Sequence, residues 1–149
     1  MPNDAFNWMG RIKAVEREHG AIRFGTDRLI AAVNNDPSIL EHQVRRPDIG
    51  TASARLEGTY IIRVLSEFET ALQHFITAMH IRKPRATETL VNRVRDRGHI
   101  PQADTDAVHR VREYRNFLVH GRTKPTPPVT IRESTRALCT FLSRVQGIW

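Results

Sequence analysis

An arginine, an asparagine and a histidine stand close together near the end of a predicted helix, in the stretch REYRNFLVHGR at residues 112–122. Arg115 and Asn116 come five and four positions before His120. A histidine side chain transfers protons near neutral pH, and a guanidinium group stabilises negative charge on a carboxylate or a phosphate. The three residue types together suit acid–base chemistry on a phosphate ester. A solvated helix end is the plainer interpretation of the same residues.

Arg115 falls on the apolar side of this helix, where a charged side chain needs a partner. At 100° per residue it lies between Val108 and Val111, while the asparagine and histidine lie on the adjoining edge. Glu69 stands at the rim of the apolar face of an earlier predicted helix. Because a buried arginine stays charged, we predict an ion pair between Glu69 and Arg115. The alternative is that the Arg115 head group reaches solvent and pairs with nothing.

Helical periodicity dominates the whole chain and predicts an all-α fold, a four- to five-helix bundle. Proline and glycine separate the segments. The predicted helices cover residues 6–34, 52–80 and 87–97, a fourth segment from an N-cap at Asp104 to a stop at Gly121, and residues 130–146. RRPDIG is predicted to close a loop through residue 50, and Gly98 to stop the third helix. We expect a single domain over residues 1–149.

The apolar positions of three helices define the expected core. They are Trp8, Ile12, Val15, Ile22, Leu29 and Val33 in the first helix, Ile61, Val64, Leu65, Phe68, Leu72, Phe75, Ile76 and Met79 in the second, and Ile131, Leu138, Leu142 and Val145 in the last.

Composition narrows the class of protein. The net charge is +7, with 20 arginines against 3 lysines. Contact with a polyanion would explain this charge, and a general preference for arginine over lysine in the composition is the alternative explanation. The single cysteine, Cys139, forms no internal disulfide, and no histidine spacing indicates a metal site, so no metal and no cofactor is expected. The sequence has no apolar run of membrane-spanning length and no apolar signal-peptide core, which favours a cytoplasmic location.

The motif and its helix resemble a known family. RNFLVHG is similar to the Arg-Asn-x-x-x-His signature of HEPN domains, helical domains named for higher eukaryotes and prokaryotes nucleotide binding. IIRVLSEFETAL resembles the second helix of the RiboL-PSP-HEPN branch, with an acidic residue after an aromatic one at Phe68-Glu69. The order of helices agrees over residues 50–146. RVRDRGH, from Arg93 to His99, also fits a looser form of the motif, but we reject this copy because Gly98 is expected to break its helix.

The resemblance implies a metal-independent endoribonuclease that acts as a toxin or an antiviral defence effector. It also implies a symmetric homodimer with both motifs in one cleft, and, for a toxin, an antitoxin protein as partner. Under this hypothesis His120 transfers protons and Arg115 stabilises the charge of the phosphate. Asn116 forms orienting hydrogen bonds in the site, and Glu69 holds Arg115 in place.

Three further arginines are expected to contact the RNA backbone without reading its sequence, namely Arg110, Arg112 and Arg122.

Two alternatives belong to other functional classes. The first is a non-catalytic HEPN module that binds RNA or a nucleotide, or serves as a dimerisation partner. The second is a basic helical DNA-binding protein, which we disfavour because the sequence shows no convincing helix-turn-helix pair.

Overall fold

The computed structural model describes residues 4–121 and 124–149, which form five α-helices. The helices are α1 (Asp4–Asn35), α2 (Arg46–Ala78), α3 (Thr87–Gly98), α4 (Gln102–His120) and α5 (Ile131–Ser143), with a short 3₁₀ helix (Pro37–Ile39) between α1 and α2. No strand occurs within the described ranges. The predicted all-α, four- to five-helix architecture is confirmed.

The two longest helices, α1 and α2, pack side by side in opposite directions. Near the start of α1, Arg11 Nε lies 2.9 Å from Glu67 Oε2. Further along α1, Arg23 donates to the carbonyl of Ser53 at 3.0 Å, so advancing along one helix means going back along the other. The other three helices pack around the half of this pair that contains the start of α1 and the end of α2, since their buried side chains join a single cluster there.

Phe68, at 0% exposure, lies inside the core formed by the five helices. Its ring meets that of Phe141 edge to face, with centroids 5.6 Å apart. The α5 helix that carries Phe141 begins with a capping box, in which Thr130 and Glu133 each satisfy an amide of the other. The predicted core residues of the second and last helices are buried, apart from Met79, which packs against the core while partly exposed.

The helices α2 and α4 begin several residues earlier than the sequence predicts. α2 starts at Arg46, so RRPDIG is not a loop through residue 50; Pro47 lies in the first turn, where a missing N–H leaves no hydrogen bond unmade. α4 starts at Gln102, which makes the prediction of Asp104 as N-cap wrong. Asp104 instead lies inside the first turn and accepts from Arg144 Nε at 2.8 Å.

Gly98 is also not the stop of its helix. It is the last residue of α3, and His99 takes the left-handed conformation with φ 50° that ends the helix. Gly98 therefore does not break the helix between Arg93 and His99, contrary to expectation. The glycine serves close packing, because a Cβ atom there would lie 2.8 Å from Val145 Cγ1. The predicted stop at Gly121 is confirmed, with φ 61°.

Two residues of the predicted α1 stripe are on the surface. Ile22 is 48% exposed and Leu29 is 40% exposed, whereas Trp8, Ile12 and Val15 are buried as expected. Beyond Val15, α1 is covered mainly by α2. A single neighbouring helix covers only a narrow face, so the apolar side chains at the edges of the stripe stay exposed.

Near the end of α1, Val33 is buried, as predicted. None of the described helices combines the length and the low polarity needed to span a membrane.

Candidate functional site

Glu69 and Arg115 form the predicted ion pair where α4 crosses α2. Arg115 Nη2 donates to Glu69 Oε1, and the two side chains keep only 21% and 22% of their surface exposed. The same oxygen accepts from the hydroxyl of Thr87, the first residue of α3, at 2.9 Å. One carboxylate oxygen thus connects three helices and fixes the end of α4 against the core. The alternative in which Arg115 pairs with nothing is wrong.

The position of Glu69 next to α3 also suits its charge. α3 begins after Ala86, which provides no side-chain cap for the first-turn amides. Uncapped amides give the start of a helix a partial positive charge. The Glu69 carboxylate therefore has a full positive charge on one side and a favourable helix end close by.

A second polar cluster joins α3 and α4 through His109. Its Nε2 lies 3.0 Å from Asn92 Oδ1, and its Nδ1 accepts from Arg112 Nε at 3.3 Å. Because Nδ1 accepts, the ring proton is on Nε2, which donates to the asparagine oxygen. Burial lowers the pKa of His109 below its usual value, and the positive charge of Arg112 lowers this pKa further. The imidazole is therefore a neutral packing element of this interface.

Arg112 belongs to this cluster more than to the surface. Its side chain is 13% exposed, and its Nη2 lies 3.5 Å from Glu88 Oε2 on α3. Its guanidinium is thus used between helices. We therefore assign Arg112 to positioning α4 against α3, where the sequence alone suggested a contact with the RNA backbone.

Asn116 and His120 lie one helical turn apart on the adjoining face of α4. Asn116 is half-buried and His120, the last residue of the helix, is exposed. Neither side chain hydrogen-bonds to another described residue. Five positions of helix separate Arg115 from His120, a rotation of about 140°, so the arginine faces α2 while the histidine faces solvent.

The remaining predicted RNA contacts are not part of this face. Arg110 is exposed and lines a groove between α4 and α5, on another side of the helix. Arg122 lies outside the described residues. The structure therefore brings Glu69 and Arg115 into contact. It leaves Asn116 and His120 on the adjoining, more accessible face of α4, and it does not bring Arg110 to either place.

Three residues of these clusters were missed by sequence reasoning, namely Thr87, Glu88 and Asn92. They gave no signal, because their contacts with Glu69, Arg112 and His109 cross between helices. His109 could be placed beside Arg112 on the helical wheel from the sequence, but its bonds to Arg112 and Asn92 could not be predicted.

The segment 82–97, which covers the loop after α2 and most of α3, carries much of the positive charge. It has six basic residues and two acidic ones, a net charge of +4 out of +7 for the chain. It packs beside α4 through Asn92 and Glu88. The sequence analysis did not identify this segment, and the run RKPR at residues 82–85 is the signal that could have indicated it. A basic surface therefore flanks the helix that carries the motif.

Within residues 4–121 and 124–149, no three His, Cys, Asp or Glu side chains lie close enough together to hold a metal ion. Cys139 is buried under α1, with its Sγ 3.9 Å from the carbonyl of Met9, and burial raises its pKa to about 11. The chain matches no protein-family model, no curated protein and no solved structure.

Proposed function

We propose that the protein is a metal-independent endoribonuclease of the HEPN type, a toxin or antiviral defence effector that cuts RNA by attack of the ribose 2′-hydroxyl. The observation that carries the proposal is the Glu69–Arg115 ion pair. Removing a charged pair from water in a packed helix crossing is costly, so such a pair contributes little net stability. This cost supports a role for the pair in function. This pair fixes the end of α4, where Asn116 and His120 are accessible to a substrate.

The proposed reaction needs few groups. His120 accepts the proton of the 2′-hydroxyl, and the resulting oxygen attacks the adjacent phosphorus. The bond from phosphorus to the 5′-oxygen breaks, that oxygen takes up a proton, and a 2′,3′-cyclic phosphate is left on the upstream fragment. Arg115 bears a full positive charge, and only its Nη2 is used by Glu69, so in this proposal its other N–H groups stabilise the phosphorane. Asn116 orients the phosphate or the histidine by hydrogen bonding.

RNA would reach the motif along the basic segment 82–97. Arginine and lysine side chains bind phosphates irrespective of base sequence, and their affinity falls as salt concentration rises. Arg82, Lys83 and Arg85 are exposed and precede α3, which packs on α4. They replace Arg112 as the proposed backbone contacts, since Arg112 is engaged between helices.

A homodimer is part of the proposal. One chain supplies one His120, whereas cleavage proceeds best with a base on one side of the phosphate and an acid on the other. Two-fold pairing of two motifs would supply both groups from identical residues. Sedimentation at micromolar concentration should therefore show a dimer, and a strictly monomeric active enzyme would contradict this part.

The activity is tested with purified protein, an RNA and a DNA of the same sequence, and EDTA in the buffer. We expect cleavage of the RNA only, with a 2′,3′-cyclic phosphate or its hydrolysis product identified by mass spectrometry. His120→Ala should reduce the rate by about 10²–10⁴-fold. Its stability should change by no more than about 0.5 kcal/mol, because the side chain is exposed.

His42→Ala is the matched control, since His42 is an exposed histidine in the connection between α1 and α2. It should cleave at the wild-type rate. The basic segment 82–97 also favours the second candidate, a non-catalytic module that binds RNA. If wild-type protein leaves varied RNAs intact but binds them with strong salt dependence, the enzyme proposal fails and the binding module replaces it.

A further inference from the structure

A groove of about 420 Å³ lies between α4, α5 and the segment 126–129 that leads into α5. This volume is typical of sites for small ligands. Its walls are mainly apolar, with Ala107 and Val111 from α4, Ala137 from α5, and Val129 from the connecting segment. The groove thus offers a small ligand a surface from which water is readily displaced.

Two arginines that stand at this groove are outside the ion pairs of the described residues. Arg110 of α4 and Arg136 of α5 both line it and both are exposed. Neither forms an ion pair with any residue in the described part of the chain. The Thr126 hydroxyl also lines the groove; it is buried and has no hydrogen-bond partner among the described residues. A buried hydroxyl without a partner is costly, and a bound acceptor would relieve that cost.

Three carboxylates also line the groove, but two of them already have partners. Asp104 accepts from Arg144 at 2.8 Å. Glu133 accepts from the amide of Thr130 at 2.8 Å and from its hydroxyl at 3.1 Å; these bonds, and to a lesser degree the positive charge of Arg136, lower the pKa of Glu133.

The third carboxylate, Glu113, is exposed and lies 3.9 Å from Arg112 Nη2, on the edge of α4 that leads away from α5. The groups left to bind a ligand are therefore the two arginines and the threonine hydroxyl. Guanidinium groups bind oxyanions through paired N–H donors, which makes a carboxylate or a phosphate the matching chemistry.

We propose that this groove binds a small amphiphile, a compact apolar body that carries one carboxylate or phosphate. The apolar body lies against Val111 and Ala137, and the oxyanion lies between Arg110 and Arg136 with the Thr126 hydroxyl as a further donor. The proposal does not rest on the ribonuclease function. His120 is ten residues further along α4 than Arg110, about 15 Å along the helix axis, and on another face.

Three naphthalene probes of nearly equal apolar size test the proposal: 2-naphthoate, 2-naphthyl phosphate and neutral 2-naphthol. Binding is followed by calorimetry and by shifts of the methyl NMR signals of Val111 and Val129. We expect at least one anion to bind about tenfold or more tightly than 2-naphthol, because a hydrogen bond to a charged group contributes that much or more. The anion that binds more tightly identifies the natural head group as a carboxylate or a phosphate.

The double variant Arg110→Ala/Arg136→Ala should remove the preference for the anions. Arg132→Ala, at an exposed arginine of α5 that does not line the groove, should leave it unchanged. Thr126→Val, which keeps the shape and removes the hydroxyl, should weaken anion binding several-fold. The proposal is overturned if neither anion shifts the Val111 and Val129 signals, or if 2-naphthol binds as tightly as both anions.

Discussion

Replacing Glu69 with glutamine should destabilise the fold much more than the same change two residues earlier. Glutamine keeps an oxygen that accepts from Thr87, so the substitution removes mainly the charge opposite Arg115. A fully buried pair that loses one partner costs about 3–5 kcal/mol, and an exposed pair about 1 kcal/mol or less. With 21% and 22% of the two side chains exposed, this pair lies between the two limits, and we expect about 2 kcal/mol.

Glu67→Gln is the matched control on the same helix. Glu67 pairs with Arg11, whose side chain is 59% exposed, so its loss should cost less than about 1 kcal/mol. The free energy of unfolding is measured by urea denaturation followed by circular dichroism. In thermal unfolding, a chain of 149 residues loses about 2–4 °C of Tm per kcal/mol, which predicts a drop of about 4–8 °C for Glu69→Gln.

A double-mutant cycle separates the pair from other effects of the substitution. Arg115→Met keeps much of the side-chain length without the charge, and its combination with Glu69→Gln should be less destabilising than the sum of the two single changes. Equal losses of stability in Glu69→Gln and Glu67→Gln, together with additive effects in the cycle, would refute the conclusion that this pair fixes α4.

Three further predictions follow from local geometry. Gly50→Ala should stabilise α2 by about 0.5–1 kcal/mol, because nothing lies within 4 Å of the added Cβ. Gly98→Ala should destabilise the protein by about 1–3 kcal/mol, because its Cβ would be too close to Val145. Urea midpoints of the two variants that move in the same direction would contradict this prediction. The pKa of His109 is lower in the folded protein than in the unfolded chain, so on acidification the unfolded chain binds this proton first. The free energy of unfolding should therefore fall as pH decreases below about 6.5. Urea midpoints measured across this pH range should change less in His109→Gln than in the wild type. Cys139 should react with a thiol reagent only in denaturant, since burial raises its pKa to about 11; rapid reaction of the native protein would contradict its position in the core.

The helices themselves could be predicted because their signals are local. An apolar residue every three or four positions needs only one turn of chain to be recognised, and α2 and α5 bury the residues that this pattern selects. Helix ends were less predictable, since proline and aspartate are compatible with both a loop and a first helical turn. Pro47 and Asp104 both lie in first turns, where a missing N–H is tolerated and a negative charge is favourable.

The candidate site was also only partly predictable from the sequence. The sequence placed Arg115 in an apolar stripe and Glu69 at the rim of another, and a buried charge requires a partner wherever the helices meet, so the pair could be inferred. The third member, Thr87, could not, because its hydroxyl reaches Glu69 only through the way α3 packs on α2. The function proposed for Asn116 and His120 stays a prediction from their residue types and positions.

By itself the sequence determined the number of helices, most of the core and the need of Arg115 for an acidic partner, all of which depend on residue type and spacing along one helix. Only the tertiary structure decided that Arg112 is enclosed with a neutral His109, that Ile22 and Leu29 remain at the surface, and that Arg110 lines a separate groove. These outcomes depend on where one helix ends relative to its neighbours. A side chain on an apolar face is buried only if another element extends far enough to cover it, and its own helix carries no information about that length.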